Sequence, residues 1–404
     1  MNEYILKNGL RLIHKKTDSS LASISIAIDA GASRDMEGKL GIAHATEHMV
    51  YKGTKTRSED EINKSLSEIF GFQNAMTNYP YVIYYGTLLN DDLENAVELF
   101  SDILINPSFK EEGFKEEMSV IKEELNEWDE EVSQFCEDTL FYNCYKKRRI
   151  KYPIIGVKED LENLTMEDIK VFYNKFYCAN NSTVVIASSM EFLQIKSIIE
   201  KYFGKWNKKS DIDKEVIEEK GISSKYINKR KGINSSKVLI TYDISKLSYK
   251  ELKDFRIFNE LFGEGINSLL FNSLRTKTGL VYDVLTYISN EKHINLYKIT
   301  FGTASEKVSE ALNEISSLVL QLEQIIDKLT DEDIKKLVKQ LKLRRLFKEE
   351  QTIRLTNQLA MYDVMFNDYK IYLEEIENLE DISKDTLKAV VKKVLVEPCI
   401  QIVQ

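Results

Sequence analysis

One run of five residues, His-Ala-Thr-Glu-His, contains side chains that can hold a metal ion and activate water. On a helix, His44 and His48 are about one turn apart, so their imidazoles project from one face and can bind the same ion. Glu47 lies at the edge of that face, where its carboxylate can reach a water on the metal without being a ligand. This H-x-x-E-H order is the inverted zincin motif. The run therefore predicts a catalytic zinc site.

The alternative is a pair of polar surface histidines on an ordinary helix. The chain has only four histidines, and the residues flanking the motif, Gly-Ile-Ala and Met-Val-Tyr, are largely apolar. We therefore expect the helix to be buried, where unpaired imidazoles would cost stability. The metal site is the better interpretation of His44 and His48. The other two histidines, His14 and His293, lie in polar surroundings and are expected to be exposed bystanders.

A catalytic zinc needs a third protein ligand, and a long acidic helix predicted from about Glu111 to Asp138 offers several carboxylates. Apolar residues at helical spacing define its buried stripe: Phe114, Met118, Ile121, Leu125 and Trp128. Glu117 and Glu124 both fall about 60–80° from that stripe, on one side, whereas Glu116 and Glu123 fall nearly opposite it. Either Glu117 or Glu124 could be the ligand, and both could instead be charges at the helix border.

The elements around this motif occur twice along the chain. The first half has strands in LRLIHKK, SISIAIDAG and YVIYYGTLL, a helix from about Ser58 to Phe70 with a turn at Gly71, and a helix in DDLENAVELFSDIL. SKVLITYDI, NLYKITFGTASEKVSEALNEISSLVL and ISKDTLKAVVKKVLVEPCIQIV repeat this order at an offset of roughly 215 residues. This pattern predicts an α+β fold of two duplicated domains, each a mostly antiparallel sheet packed with helices.

The predicted domain division follows from this repeat. Residues 1–210 form a zinc-binding peptidase domain, 211–226 a charged linker, and 227–404 a second domain that lacks the zinc motif. The stretch of the second half near LFGEG, which corresponds to the motif, has no histidine. We therefore expect one Zn²⁺ per chain.

Composition excludes several classes of protein. The net charge of −9 disfavours nucleic-acid binding, which needs a basic face. No apolar run approaches the roughly 20 residues of a membrane-spanning helix, and the first residues do not form a signal peptide. We therefore expect a cytoplasmic protein without a membrane partner. The four cysteines form no C-x-x-C pair, so we expect reduced, partly buried thiols.

Six segments of the chain resemble the M16 metallopeptidases, the family of pitrilysin, insulin-degrading enzyme and the mitochondrial processing peptidases. These segments are NGLRLI, GIAHATEHMVYKGT, GFQNAMTN, EEMSVIKEEL, KYFGKW and GEGINSLLFNSLRTKTGLVYDV. The resemblance covers nearly the whole chain and implies the metallohydrolase fold of the processing peptidases. The size is similar to that of the short-chain branch, whose active particle is a pair of chains. The resemblance to this branch implies a homodimer, or a heterodimer with another M16-like chain.

The resemblance also implies roles for individual residues. The zinc ligands fall on His44, His48 and Glu124, the catalytic base on Glu47, and a carboxylate that supports a ligand on Glu117.

Two further sites follow from the same resemblance. Asn74 and Ala75 match the family's edge strand, where a substrate adds as an extra β-strand. Arg275 and Tyr282 match a pair that stabilises the oxyanion. From the residues alone, Asn74 would be a turn residue, Arg275 a surface arginine and Tyr282 a half-buried tyrosine. The sequence departs from the family's pattern in two places: GEG at Gly263 to Gly265 replaces a GGG-like turn, and EWDEEV follows the glutamate ligand. Both departures concern the fit of the substrate more than the chemistry.

The expected function is therefore a zinc-dependent endopeptidase that processes or degrades unstructured peptides. One alternative is a partner or scaffolding subunit of a heterodimeric M16 peptidase, although such subunits usually lose the ligands or the base. Another is a zinc hydrolase that acts on non-peptide bonds, against which the predicted edge strand argues.

Overall fold

A computed structural model of the protein describes residues 1–208 and 219–404, which form two compact units. Unit 1 consists of Met1–Glu127, residues 152–208 and Lys348–Tyr372. Unit 2 consists of Trp128–Lys151, residues 219–347 and Leu373–Gln404. Each unit thus includes one segment from the other half of the sequence. The first part of the linker predicted at 211–226 lies outside the described residues, and the division at 1–210 and 227–404 stays a prediction.

Unit 1 is built on a mixed sheet of six strands among its described residues. They are β1 (Asn2–Ile5), β2 (Arg11–Lys16), β3 (Leu21–Ile28), β4 (Phe70–Thr77), β5 (Val82–Leu89) and β6 (Ser182–Ser188). Their order across the sheet is β1-β2-β6-β3-β5-β4, and only β2 and β6 pair in parallel. Strand β4 is therefore at one edge of the sheet.

The described strands of unit 2 repeat this topology. They are β7 (Lys225–Asn228), β8 (Ser236–Asp243), β9 (Val284–Glu291), β10 (Ile294–Thr303) and β11 (Cys399–Val403). Their order is β7-β11-β8-β10-β9, and β7 and β11 form the one parallel pair. Without β1, the order and directions in unit 1 are the same. The predicted α+β fold with duplicated, mostly antiparallel sheets is confirmed.

Helices cover these sheets. Those of the first half are α1 (Ile42–Val50), α2 (Glu59–Ile69), α3 (Leu93–Ile105), α4 (Glu111–Glu130), α5 (Val132–Cys144), α6 (Lys158–Glu162), α7 (Met166–Phe176) and α8 (Phe192–Phe203). Those of the second half are α9 (Tyr249–Phe262), α10 (Leu269–Phe271), α11 (Val308–Asp327), α12 (Asp331–Glu349), α13 (Thr352–Phe366), α14 (Lys370–Glu374) and α15 (Lys384–Val394). A single turn of π-helix, Asn272–Lys277, follows α10.

Two predicted element boundaries are wrong. The acidic helix does not continue to Asp138, because Glu131 has an extended backbone and its side chain accepts a hydrogen bond from the first turn of α5. Gly71 is not a turn: it lies within β4, as the extra residue of a bulge between Phe70, which pairs with Leu88, and Phe72, which pairs with Thr87. A Cβ at Gly86 would lie 2.5 Å from the ring of Phe70, so glycine is needed where the strands close around the bulge.

Helix α13 covers one face of the unit 1 sheet through small and polar side chains. The alternation in β3 directs its isoleucines to one face and Ser23 and Ser25 to the other. The Ser25 hydroxyl lies 2.7 Å from Thr356 Oγ1 and 2.6 Å from Asn357 Oδ1 on α13. The buried carboxylate of Asp363 accepts a hydrogen bond from Thr183 on β6. A segment from the end of the chain is therefore integral to unit 1.

Unit 2 has a separate aromatic core. Phe255, Phe258 and Phe262 recur along the inner face of α9 and are fully buried against Tyr297 and Ile299 of β10. No helix among the described residues is long and apolar enough to cross a lipid bilayer. Cytoplasmic residence stays a prediction.

Candidate metal centre

Helix α1 carries the His-x-x-Glu-His motif, and its first turn is fixed by backbone contacts. Gly41 precedes the helix with a φ of 93°, in the left-handed region that favours glycine. A Cβ at Gly41 would lie 2.4 Å from the carbonyl oxygen of Ile155. The carboxylate of Asp35 accepts hydrogen bonds from the amides of Gly41 at 2.7 Å and Ala43 at 3.0 Å. These contacts satisfy two free amides of the first turn and set the position of the motif.

Three potential ligand atoms converge next to α1. His44 Nε2 and His48 Nε2 are 3.2 Å apart, and Glu124 Oε2 on α4 lies 3.8 Å from the first and 3.6 Å from the second. Ligand atoms around a tetrahedral zinc with bonds of about 2.1 Å are about 3.4 Å apart. The spacing of these atoms therefore fits one zinc ion, and among the described residues this is the one cluster of three such ligands.

The electronic character of these atoms supports the fit. His48 Nδ1 lies 2.7 Å from Glu117 Oε1, so Nδ1 carries the proton and Nε2 of the neutral ring offers its lone pair. A second imidazole nitrogen and a carboxylate oxygen face the same point. Three lone-pair donors at this distance are stabilised by a cation between them. The donor set, two nitrogens and one oxygen with room for a water, is typical of catalytic zinc.

The predicted stripe on α4 is buried except at Trp128, which is half-buried, and the two candidate glutamates face different atoms. The fully or nearly buried members are Phe114, Met118, Ile121 and Leu125. The side chains of Glu117 and Glu124 are 13 % and 39 % exposed. Glu124 faces both Nε2 atoms, whereas Glu117 faces Nδ1 of His48. Of the two glutamates that periodicity left open, Glu124 is the one whose carboxylate lies beside both Nε2 atoms.

Glu117 is held in turn by a lysine that the sequence analysis did not identify. Lys52 Nζ lies 2.9 Å from Glu117 Oε2 and 2.7 Å from Glu59 Oε1. The hydrogen bond from His48, together with the one from Lys52, lowers the pKa of Glu117 to about 2, although burial opposes this shift. Glu117 is therefore a stable carboxylate that orients the imidazole of His48.

The two histidines differ in environment. Burial, and then the neighbouring His48, lowers the pKa of His44 to about 3. Burial is the largest influence on His48 and acts to lower its pKa, but the hydrogen bond to Glu117 and the charges of Glu47 and Glu124 together raise it. His44 Nδ1 finds no hydrogen-bond partner among the described residues. Burial thus keeps His44 neutral, whereas the carboxylate of Glu117 fixes the imidazole of His48.

His14, expected to be exposed, is fully buried. Its Nε2 lies 3.2 Å from Ser188 Oγ, its ring stacks on Phe192 of α8, and burial lowers its pKa to about 4. The expectation of exposure is wrong because α8 covers this face of β2. His14 is a buried residue of the unit 1 sheet.

Glu47 is a buried carboxylate beside the ligand cluster. It is 8 % exposed, and the hydroxyl of Thr77 donates a hydrogen bond of 2.5 Å to its Oε2. Burial raises the pKa of Glu47, while hydrogen bonds from Thr77 act in the opposite direction. A carboxylate with a raised pKa is suited to take a proton from water and give it back.

Three tyrosines surround Glu47 on its buried side. Burial, with the charge of Glu47 as a further cause, raises the pKa of Tyr51, Tyr84 and Tyr177. The hydroxyls of Tyr84 and Tyr177 are 2.9 Å apart, and the rings of Tyr51 and Tyr84 are in contact.

The predicted substrate residues Asn74 and Ala75 lie on the edge strand β4. The amide of Asn78 donates to the Tyr81 carbonyl at 2.8 Å, which marks a hydrogen-bonded pair between β4 and β5. Since such pairs alternate along an antiparallel ladder, the backbone groups of Ala75 and Thr77 point away from β5. The Asn74 side chain accepts from the Ala75 amide at 2.9 Å. The edge thus offers main-chain groups to a further strand.

Arg275 and Tyr282 lie in unit 2 and contact one another. The Arg275 guanidinium is 4.5 Å from the centre of the Tyr282 ring and 5.1 Å from that of Phe271. Tyr282 is 79 % exposed. The structure therefore brings this predicted pair together, with an exposed phenol that is free to reach a ligand.

Sequence reasoning did not single out Lys52 or Thr77. Lys52 is four residues after His48, and this spacing was a signal that it could reach the side of the motif helix. Thr77 is the last residue of the NAMT segment, but its bond to Glu47 depends on the packing of α1 against β4. That contact has no signature in local sequence.

Two family models match consecutive parts of the chain. The model described as Insulinase (Peptidase family M16) matches residues 11–158, and the Peptidase M16 inactive domain matches residues 163–341. An uncharacterized zinc protease of Bacillus subtilis is 23 % identical over 399 residues, which cover 98 % of this chain and 96 % of that protein.

Two further comparisons also relate the chain to proteases. The mitochondrial-processing peptidase beta subunit of Caenorhabditis elegans is 30 % identical over 199 residues, which cover 49 % of this chain and 43 % of that subunit. The crystal structure of a protease from Helicobacter pylori superposes with a TM-score of 0.91 at 20 % identity, and the match covers 100 % of this chain and 99 % of that one. Because the two models together match most of its length, the chain belongs to peptidase family M16, in its short two-domain form.

Proposed function

We propose that the protein is a zinc-dependent endopeptidase that hydrolyses unfolded peptides at the site formed by α1 and α4. The observation that carries this proposal is the convergence of His44 Nε2, His48 Nε2 and Glu124 Oε2 beside the buried carboxylate of Glu47. Zinc at these ligands would supply Lewis acidity, which lowers the pKa of a coordinated water toward neutrality and polarises a carbonyl. One zinc per chain is proposed.

Glu47 acts as the base and then as the acid. Its carboxylate takes one proton from the attacking water as the new bond from oxygen to the carbonyl carbon forms. It then gives that proton to the amide nitrogen as the carbon–nitrogen bond breaks, so that a carboxylic acid and an amine leave. Its raised pKa suits the first step, because a carboxylate that holds a proton only weakly would be a poor base.

The substrate adds to the free edge of β4. The carbonyl of Ala75 is open to an extended peptide. The Ala75 amide, which donates to the Asn74 side chain at 2.9 Å, would pair with the peptide once that side chain turns to hold the peptide in register. Since this contact reads the backbone, an unfolded segment is required. Arg275 and Tyr282 are assigned, by the family resemblance, as donors to the oxyanion of the tetrahedral intermediate. The active particle is proposed to be a homodimer or a heterodimer with another M16-like chain.

The test is digestion of an unstructured peptide library by purified protein of known zinc content, with and without a chelator, and with zinc restored. We expect cleavage that the chelator abolishes and zinc restores. Glu47→Gln should keep zinc and lose cleavage, since an amide cannot take the proton. Glu116→Gln, on the exposed side of α4, is the matched control and should behave as wild type.

Two outcomes would contradict the proposal. Cleavage that continues in Glu47→Gln would assign the activity to another group or to a contaminant. A zinc-loaded protein that cleaves no peptide, alone or when mixed with a second M16 chain, would instead indicate a scaffolding subunit. Arg275→Ala and Tyr282→Phe should lower kcat with zinc retained, and normal turnover in both would remove them from the site.

A further inference from the structure

Thr77 connects the general base to the edge strand. It is the last residue of β4, it is 9 % exposed, and its hydroxyl donates a hydrogen bond of 2.5 Å to Glu47 Oε2. The bond occupies one oxygen of the carboxylate, so Oε1 is the oxygen available to exchange a proton with water. Because a carboxylate that can rotate presents its oxygens in many orientations, this bond limits Glu47 to one.

The geometry of β4 places Thr77 beside Glu47 on α1 and close to the open edge of the sheet. Alternation in β4 puts the side chains of Gln73, Ala75 and Thr77 on one face, and the hydroxyl of Thr77 shows that this face is directed to α1. Phe72 and Met76 project from the other face and are exposed. The backbone of Ala75, two residues before Thr77, faces the open edge. A peptide paired with that edge would therefore be aligned by the strand that also fixes Glu47.

We propose that Thr77 is a positioning residue for Glu47. The Thr77 hydroxyl holds the Glu47 carboxylate in the orientation for proton transfer, while β4, the strand that carries Thr77, receives the peptide. This inference rests on the proposed function. Thr77 touches neither the metal ligands nor the peptide through its hydroxyl, so its effect belongs to the chemical step rather than to binding.

The competing explanation is that Thr77 is an ordinary buried threonine whose hydroxyl needs a partner. The two roles differ in what the conservative variants do. Thr77→Val keeps the shape and removes the hydroxyl, whereas Thr77→Ser keeps the hydroxyl and removes a methyl group. A positioning role requires the hydroxyl, and a packing role requires the methyl group.

The chain offers a matched control for loss of a buried hydroxyl. Thr46 lies next to Glu47 on α1, is fully buried, and its hydroxyl donates to the Ile42 carbonyl at 2.7 Å. Thr46→Val therefore removes a buried hydroxyl bond of similar length that does not involve Glu47. It should lower stability but leave the kinetic constants unchanged.

The experiment measures kcat, KM and zinc affinity of the full-length variants with a peptide that the wild-type protein cleaves. We expect Thr77→Val to lose about ten- to hundredfold in kcat, with KM within about twofold and zinc affinity unchanged. Thr77→Ser should retain kcat within about threefold of wild type. In the inactive Glu47→Gln background, Thr77→Val should not change the Kd of the same peptide. Crystal structures of the zinc-loaded variants should show a changed Glu47 orientation in Thr77→Val alone.

Several results would overturn the inference. Wild-type kcat in Thr77→Val, a rise in KM without loss of kcat, or a loss of zinc would each assign Thr77 another role. An unchanged Glu47 orientation in the Thr77→Val crystal would do so independently of activity. If the zinc-loaded wild type cleaves no peptide, the proposed function fails and the inference falls with it. If the wild type cleaves and Thr77→Val cleaves equally well, only the inference fails.

Discussion

The substitution Glu117→Gln tests the support of the metal centre. Glu117 accepts the proton of His48 Nδ1 at 2.7 Å and is paired with Lys52 at 2.9 Å. An amide in its place is a weaker acceptor for the imidazole and leaves Lys52 with Glu59 alone. Because the bond to Nδ1 fixes both the tautomer and the ring orientation of His48, its loss should weaken the Nε2 ligand.

The magnitude follows from the character of the bond. A hydrogen bond to a charged group contributes about 1.5–3 kcal/mol, which corresponds to a factor of about 10–150 in an equilibrium constant. The side chain of Glu117 is only 13 % exposed, so water replaces the lost contact poorly. We therefore expect zinc affinity to fall about 10- to 100-fold, the range found for partners of ligand histidines. Removal of the ligand itself in Glu124→Gln should cost more.

The assay is competition for zinc with a chromogenic chelator of known affinity at fixed pH and ionic strength. Lys52→Met should lower zinc affinity less than Glu117→Gln does. The double variant should lose less affinity than the product of the two single-variant fold-losses, because Lys52 acts through Glu117. Glu116→Gln and Glu123→Gln are the controls on the exposed side of α4. An affinity of Glu117→Gln within twofold of wild type would refute the reasoning, since the bond to Nδ1 would then be irrelevant to the metal.

Three further predictions concern the ligands, the thiols and the interleaved segments. The apparent zinc affinity should fall as pH drops below about 7, because protonated His48, whose pKa is raised, must lose its proton before zinc binds. Chelator competition across pH 5–8 checks this, and an affinity that does not change over that range would contradict it. All four cysteines are buried thiols, and burial raises the pKa of Cys136 to about 12, so a thiol reagent should label the native protein far more slowly than the unfolded one. Residues 1–210 expressed alone should be unstable because α13 is missing, and co-expression of residues 348–372 should raise their urea midpoint. A fragment 1–210 that unfolds cooperatively by itself would show that the predicted domain division is physically real.

The parts of the fold that depend on local periodicity were predictable. The alternation in β3, the stripe of α4 and the near-constant offset between the halves each survive in the structure, because burial on one face imposes a repeat that the sequence displays. The same holds for the His44 and His48 pair, since one turn of helix is enough to bring the two rings together.

The parts that depend on distant contacts were not predictable. Residues 348–372 pack in unit 1 because Ser25 bonds to Thr356 and Thr183 bonds to Asp363, across 331 and 180 residues of sequence, and no local pattern records these pairings. The burial of His14 likewise depends on α8, and the bond between Thr77 and Glu47 depends on α1 lying against β4. The break at Glu131 was missed for another reason. Its neighbours are good helix formers, and a single extended residue is sufficient to start a new helix.

The duplicated topology places the same pair of helices in both units, with different charged groups on each pair. Helix α9 follows β8 as α1 follows β3, and α12 follows α11 as α4 follows α3. In unit 2 this helix pair carries Glu260, which is 6 % exposed, and Arg344, whose Nε lies 3.1 Å from Glu260 Oε2. A guanidinium is a permanent cation that binds a carboxylate through two parallel donors, so the buried charge on α9 is already neutralised by α12. In unit 1 the same pair of helices presents two imidazoles and the carboxylate of Glu124, while Lys52 is paired with Glu117 and Glu59. Glu124 thus faces imidazoles where Glu260 faces a guanidinium, and the proposed zinc would supply the positive charge there.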